Sequence, residues 1–226
     1  MKRSILLSGV VMLLAALPNA NATIITGAVT SGTGSFVELT PGFTDSDPDN
    51  TVGNNNLQNT NLYAFNEDQN TAILNNPLNV DILASTGLAG SLAVGTIVAS
   101  QYVFFDPRFT VRQTGWVEFD AAILAVITSA ANLDASDYLA NTGVNYLSSA
   151  LRGLEWNDSV SIDALNPARL NVDWRAGSPG DYVRVLTAFS PGAVTPTSVP
   201  EPGTLLLMAA GLAGVVGVKR RRTRQG

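Results

Sequence analysis

The chain has 226 residues and a formal net charge of −5, and it contains neither cysteine nor histidine. Without cysteine it cannot form disulfides or thiolate metal sites, and without histidine it lacks the side chain of Ser-His-Asp catalysis and of most zinc sites. Carboxylates are left as the acid–base groups that an enzyme of this sequence would use.

The N-terminal segment, residues 1–22, is predicted to be a secretory signal peptide. Lys2 and Arg3 form the positive start, a 14-residue hydrophobic stretch follows, and Ala20 and Ala22 supply a small-x-small cleavage site. As a helix, 14 residues span about 21 Å, which is shorter than the ~30 Å hydrocarbon core of a bilayer. We therefore expect cleavage after Ala22 rather than a retained membrane helix.

Residues 23–198 form the predicted mature domain, which is long enough for one hydrophobic core. It contains six arginines, no lysine and 17 carboxylates, so its formal charge is −11. Binding to nucleic acid or to anionic lipid requires Lys and Arg side chains that displace counterions. We therefore expect no nucleic-acid partner.

A stretch rich in Asn and Asp follows the first predicted strands and is expected to form loops. Asp45, Asp47 and Asp49 place hard oxygen ligands at alternate positions, which is the ligand type that calcium prefers. The stretch departs from an EF-hand because its sixth position is Asn50 and its twelfth is Asn56. Two interpretations stay open, a calcium-binding turn and a solvated acidic loop.

The rest of the domain is predicted to be all-β, because segments rich in β-branched and aromatic residues alternate with Gly and Pro breaks. A short helix is expected at residues 133–142, capped by Asp134. Period-two alternation, which is typical of half-buried strands in an antiparallel meander, is clearest in residues 159–163, 169–174 and 181–189. The spacing predicts an antiparallel β-sandwich of about eight or nine strands with one short helix.

Carbohydrate binding would use an exposed aromatic ring beside polar side chains. Trp174 shares the predicted core face of its strand, whereas Trp156 lies in a polar segment between strands and is the candidate for an exposed sugar contact. The alternative for Trp156 is a packed loop anchor. The candidates by residue type are Trp116, Tyr138, Tyr146, Trp156 and Trp174.

Glu118 and Asp120 are the pair that a glycoside hydrolase could use. They are two residues apart on one predicted strand, about 6.6–6.8 Å along it, and hydrolases place two carboxyl groups about 5–10 Å apart. The same alternation is expected on the solvent face of any strand. We therefore predict that the domain is not an enzyme and that catalytic residues are absent.

The C-terminal segment combines an extended tripeptide, a short apolar helix and a basic end. Pro200 and Pro202 fix their own φ and disfavour helix in the preceding residue, so Glu201 is held extended. The 15 apolar residues at 204–218 reach only about 22 Å, which suits a transient membrane span better than a permanent anchor. The basic cluster at 219–224 is expected to stay cytoplasmic.

This order of features, at residues 199–226, resembles the PEP-CTERM sorting domain of Gram-negative bacterial surface proteins. The resemblance implies that an exosortase recognises Pro200, Glu201 and Pro202 and removes the tail. It also implies an inner-membrane intermediate, followed by delivery to the cell surface or to an extracellular polysaccharide matrix.

Parts of the mature domain resemble the all-β body common among PEP-CTERM proteins, among them "VASQYVFFDP" and "SPGDYVRVLT". This resemblance supports the fold and the localisation alone. We predict an exported, exosortase-processed protein of the cell surface or matrix. Its β domain is expected to be non-catalytic, with a structural or carbohydrate-associated role and exopolysaccharide as the candidate partner. The alternatives are a carboxylate-based polysaccharide hydrolase and a calcium-stabilised adhesin; no cofactor other than calcium is expected.

Overall fold

A computed structural model describes residues 24–39, 51–53, 56–147, 149–177 and 179–190. These residues form one short α-helix, α1 (Ala130–Ala135), two 3₁₀ turns (Asp137–Leu139 and Ser149–Leu151) and fifteen strands. The strands are β1 (Ile24–Ser31), β2 (Phe36–Leu39), β3 (Thr51–Val52), β4 (Leu62–Asn66), β5 (Thr71–Ala72), β6 (Leu78–Val80), β7 (Ile82–Leu83), β8 (Gly90–Leu92), β9 (Ile97–Phe105), β10 (Val111–Phe119), β11 (Ile123–Ile127), β12 (Asn145–Tyr146), β13 (Ser159–Ile162), β14 (Arg169–Ala176) and β15 (Asp181–Thr187). The predicted β class is confirmed, and nine of these strands have four or more residues.

The strands form two main sheets and two small two-stranded sheets. The smaller main sheet has the order β1-β10-β14-β13, and all its pairs are antiparallel. The larger has the order β2-β4-β9-β15-β11-β7, with β5 paired to β9 beside this path. Its only parallel pair among the described residues is β2 with β4. The two-stranded sheets join β12 to β3 and β6 to β8.

The hydrophobic core lies on both faces of the larger sheet. On one face, Val183 and Val185 of β15 share a buried cluster with Val117 and Trp174 of the smaller sheet. A second buried cluster contains Leu186 of β15 together with residues of β6 and helix α1. Strand β15 is therefore buried along its whole length and on both faces. The prediction of a half-buried strand was wrong here, because the central strand of this sheet is covered on each side.

The predicted meander is only partly correct. Strands β13 and β14 pair antiparallel, from Ser159 opposite Asp173 to Ile162 opposite Leu170. Strand β15 instead crosses to the larger sheet, where it lies between β9 and β11. The side chains explain the difference: β14 alternates buried and more exposed residues, which suits a sheet covered on one face, whereas β15 carries buried side chains at every position.

Helix α1 begins earlier than predicted, and Asp134 does not cap it. The helix starts after Ser129, and Asp134 lies near its end, where it pairs with Arg152. The carboxylate at the start is Asp81, which follows β6 and accepts bonds from the backbone N–H groups of Thr128 (2.7 Å) and Ser129 (2.8 Å). A carboxylate distant in sequence thus stabilises the helix N-terminus, which no local capping pattern reveals.

No helix among the described residues is long and apolar enough to cross a membrane. The predicted signal helix at 1–22 and the predicted span at 204–218 both lie outside those residues. These two flanking helices, and the boundaries of the mature domain at 23 and 198, stay predictions.

Candidate functional site

Trp156 stands at the tip of a tight turn and is almost fully exposed. The turn is closed by a bond from the Asp158 N–H to the Glu155 carbonyl (3.1 Å), and 96% of the surface of Trp156 is accessible. The Asp158 carboxylate accepts bonds from the Glu155 N–H (3.1 Å) and from the N–H of Arg175 on β14 (2.6 Å). The indole is thus presented by a backbone that is tied to the smaller sheet.

The rings of the other aromatic candidates are covered by neighbouring residues to different degrees. Trp174 is buried in the core, as predicted, with 1% of its surface exposed. One face of Trp116 is covered by the Arg169 guanidinium, which lies 4.1 Å from the ring centroid. Tyr146 packs edge-on against Tyr102 at 5.2 Å within the second core cluster. Trp156 is therefore the tryptophan whose ring is open to solvent.

Glu118 and Asp120, the pair considered for hydrolysis, are each held by a neighbour. Glu118 accepts two bonds from Arg169, at 2.7 and 3.1 Å, and Asp120 accepts one from the Ser190 hydroxyl at 2.5 Å. A glycosidase needs one carboxyl group that can donate its proton to the leaving group. An ion pair and a bonded hydroxyl compete with that role.

The domain contains a buried ion pair between Arg184 and Glu67 that the sequence pattern did not reveal. Arg184 of β15 donates to both carboxylate oxygens of Glu67, through Nε (2.6 Å) and Nη2 (2.8 Å), and both side chains are 0% exposed. Its other donors reach the Leu133 carbonyl, the Ser136 hydroxyl and Asp137. All five guanidinium N–H groups are therefore satisfied, which is the condition for tolerating a buried charge.

Glu67 is satisfied just as fully. Besides the two bonds from Arg184, it accepts bonds from the hydroxyls of Ser100 and Tyr146, each at 2.7 Å. Burial is the largest single influence and would lower the pKa of Arg184, but the charge and hydrogen bonds of Glu67, together with the electrostatic effects of Tyr102 and Tyr146, outweigh it and raise that pKa. Burial and then the same negative charge raise the pKa of Tyr146, so its hydroxyl remains a donor. The arrangement is structural, because it joins β15 to helix α1 and the following 3₁₀ turn.

The predicted calcium ligands Asp45, Asp47 and Asp49 lie outside the described residues. Within the part of the chain that the structure describes, no group of three or more acidic side chains is arranged to hold a metal ion. The calcium site at Asp45–Asp49 stays a prediction.

The sorting residues Pro200, Glu201 and Pro202, and the cleavage residues Ala20 and Ala22, also lie outside the described residues. The family model of the PEP-CTERM protein-sorting motif matches residues 198–222. The chain carries a PEP-CTERM sorting motif.

The PEP-CTERM motif marks an exported protein that is anchored transiently in the membrane, processed by an exosortase and sorted to the cell surface. The match includes Pro200, Glu201 and Pro202, in agreement with the resemblance found in the sequence. Comparisons with curated proteins and with solved structures give no match. The motif therefore indicates where the protein is delivered. The role of the β domain has to be argued from its own residues.

Proposed function

We propose that this protein is a non-catalytic component of the cell surface or extracellular matrix, whose β domain associates with exopolysaccharide. The sorting motif at residues 198–222 is the observation that supports delivery to the cell surface. The β domain is taken as a sandwich, because buried residues of both main sheets share one core cluster. The signal peptide at 1–22 belongs to the same proposal.

Trp156 supports the carbohydrate association. An indole with 96% of its surface exposed costs free energy in water, and a flat apolar ring stacks on the apolar face of a sugar. The turn that carries it is tied by Asp158 to Glu155 and Arg175, so little order has to be gained on binding. The pairing of Glu118 with Arg169 favours binding without hydrolysis.

Delivery to the cell surface and processing at both ends are tested by mass spectrometry of protein extracted from the cell surface. We expect an N-terminus near Thr23 and a C-terminus upstream of Thr204. Replacing Glu201 by Gln should leave full-length protein in the membrane fraction. Surface protein that retains its whole tail would contradict processing.

The role of the β domain is tested by incubating surface-extracted protein with the exopolysaccharide of the producing organism. Saturable binding without released oligosaccharides is expected. Trp156→Ala should weaken that binding, whereas Trp156→Phe, which keeps a ring, should retain most of it. Turnover that is lost in Glu118→Gln would instead establish the hydrolase.

A further inference from the structure

A cleft separate from the Trp156 turn lies between the loop that leads into β6 and the end of helix α1. It encloses about 480 Å³ and is lined by residues 74–79 together with Ala135 and Tyr138. Leu78, which is 5% exposed and belongs to the second core cluster, is the buried member of the lining. The volume falls within the roughly 300–1,000 Å³ typical of small-ligand sites.

The cleft offers one aromatic ring and three free amides. Tyr138 is 46% exposed, and burial of the remainder raises its pKa, so its hydroxyl is protonated at neutral pH. The side chains of Asn75, Asn76 and Asn79 are exposed and make no hydrogen bond to any other described residue. Each amide can donate and accept at once, as a sugar hydroxyl also does.

The position of Tyr138 is fixed by the buried ion-pair network. Tyr138 lies in the 3₁₀ turn between Asp137 and the fully buried Leu139. The Asp137 carboxylate accepts bonds from Arg184 at 3.2 Å and from Arg152 at 2.8 and 3.0 Å. The ring is thus held on a short element whose flanking residues are both immobilised, which is what a preorganised binding surface requires.

The opposite wall is also held in one conformation. The Asn76 N–H bonds to the Leu74 carbonyl at 2.8 Å, and Asn75 between them has a φ of 65°. A positive φ is costly for a residue with a side chain, although Asn tolerates it better than most. The buried Ile73, whose N–H bonds to the Thr96 carbonyl at 2.9 Å, anchors the wall at its base. Strain of this kind persists where the surrounding structure imposes it.

The lining residues set the charge of the ligand. No charged side chain is among them, and the carboxylates of the nearby Asp134 and Asp137 are paired with Arg152. Residues 23–198 carry a formal charge of −11, which repels an anionic polymer. A ligand without charge, rich in hydroxyls and with one flat apolar face, fits these conditions.

We propose that this cleft is a glycan-binding site for a neutral polysaccharide, in which Tyr138 stacks on one sugar ring and the amides of Asn75, Asn76 and Asn79 bond its hydroxyls. The inference rests on the proposed association with carbohydrate, and it assigns the ligand class and a second contact besides Trp156. The two contacts make different predictions for short and long glycans. A short oligosaccharide is bound by the cleft, whereas a long polymer can also use the exposed indole.

The test uses surface-extracted protein and three neutral probes, cellohexaose, laminarihexaose and maltohexaose, with an alginate hexamer as the anionic comparison. Calorimetric titration should give saturable binding of at least one neutral hexamer and weaker binding of alginate. Tyr138→Ala should weaken the neutral hexamer at least tenfold. Tyr138→Phe keeps the ring and should lose less, while Asn76→Ala with Asn79→Ala should weaken binding without touching the core.

Phe109→Ala is the matched control, because Phe109 is an exposed ring outside the cleft and its removal should leave hexamer affinity unchanged. Hexamer binding that depends on Trp156 and not on Tyr138 would overturn the cleft while leaving the proposed function intact. Tighter binding of alginate would overturn the neutral ligand class. If the parent binds neither a neutral hexamer nor the producer's own exopolysaccharide, both proposals fail. The asparagine double variant decides the matter if Tyr138→Ala does not fold.

Discussion

Arg184 and Glu67 form a two-point ion pair with neither side chain exposed to solvent. Both partners use their full bonding capacity, through Ser100 and Tyr146 on the Glu67 side and through Leu133, Ser136 and Asp137 on the Arg184 side. A charge buried this deeply is tolerated only while its partner is present.

Removing one member of this pair should therefore be severe. We expect Arg184→Met to lower the free energy of unfolding by about 3–5 kcal/mol, because the Glu67 carboxylate would be left buried without a counter-charge. The measurement is urea unfolding of the full chain in a zwitterionic detergent.

Arg112→Met is the matched control for that experiment. Arg112 pairs with Asp173, but its side chain is 65% exposed, so water solvates the carboxylate once the arginine is gone. Only a slight change is expected. Equal losses in the two variants would contradict the structural role assigned to the buried pair.

The stability of the domain should fall as pH rises from about 4 to about 8. Asp181 is 2% exposed, and burial, followed by the charges of Asp158 and Glu155, raises its pKa from 3.8 to about 8. Between these values the folded state keeps a proton that the unfolded state releases, so the contribution is complete below about 4 and is lost through about 8. Melting curves from pH 4 to pH 9 measure this directly.

Asp181→Asn cannot ionise and should flatten that pH profile. Above pH 8 the variant should be more stable relative to the parent than it is at pH 4, because it carries no charge that burial would penalise. Parallel profiles for parent and variant would show that another group is responsible.

Truncation of Trp174 should lower the stability of the domain strongly, whereas truncation of Trp156 should hardly change it. Trp174→Ala removes a ring that is 1% exposed and should cost about 3–5 kcal/mol of unfolding free energy. Trp156→Ala removes one that is 96% exposed and should change stability by less than about 0.5 kcal/mol. Thermal unfolding of both variants provides the comparison, and a large loss from Trp156→Ala would mean that its ring packs against the domain.

Calcium should stabilise the chain if Asp45, Asp47 and Asp49 form the predicted turn. Millimolar calcium would then raise the melting temperature by mass action, and magnesium would raise it less because it demands tighter octahedral geometry. Asp45→Asn combined with Asp47→Asn should abolish the shift. A response of equal size with magnesium, or with sodium at matched ionic strength, would indicate screening of the negative charge instead.

Local patterns in the sequence predicted some features well. Alternation located β13 and β14 and placed Trp174 in the core, because the side-chain period of a strand is visible within a few residues. The same alternation in β15 predicts a strand with one buried face, whereas both faces are buried. The local pattern does not reveal the ion pair of Arg184, because its partner Glu67 lies 117 residues earlier in the chain.

The features that could not be predicted depend on contacts between distant segments. The neighbours of β15 are β9 and β11, and nothing within β15 itself specifies them. The cleft likewise joins residues 74–79 to Tyr138, and each segment alone resembles an ordinary polar loop. The run of asparagines and the tyrosine were visible in the sequence, but their proximity follows from the packing of helix α1 beside β6.

The position of β15 determines how the domain resists a pulling force. Just after this strand, the Asn70 side chain makes two hydrogen bonds to the backbone of Ser190. It accepts from the Ser190 N–H (2.7 Å) and donates to the Ser190 carbonyl (3.1 Å). Tension applied from the C-terminal side therefore acts first on these two bonds and then on a strand that is bonded to neighbours on both sides. An edge strand could be peeled away one bond at a time, whereas β15 can leave only by breaking its ladders with β9 and β11 together, so a pull from the C-terminal side of the described domain acts on a doubly paired strand.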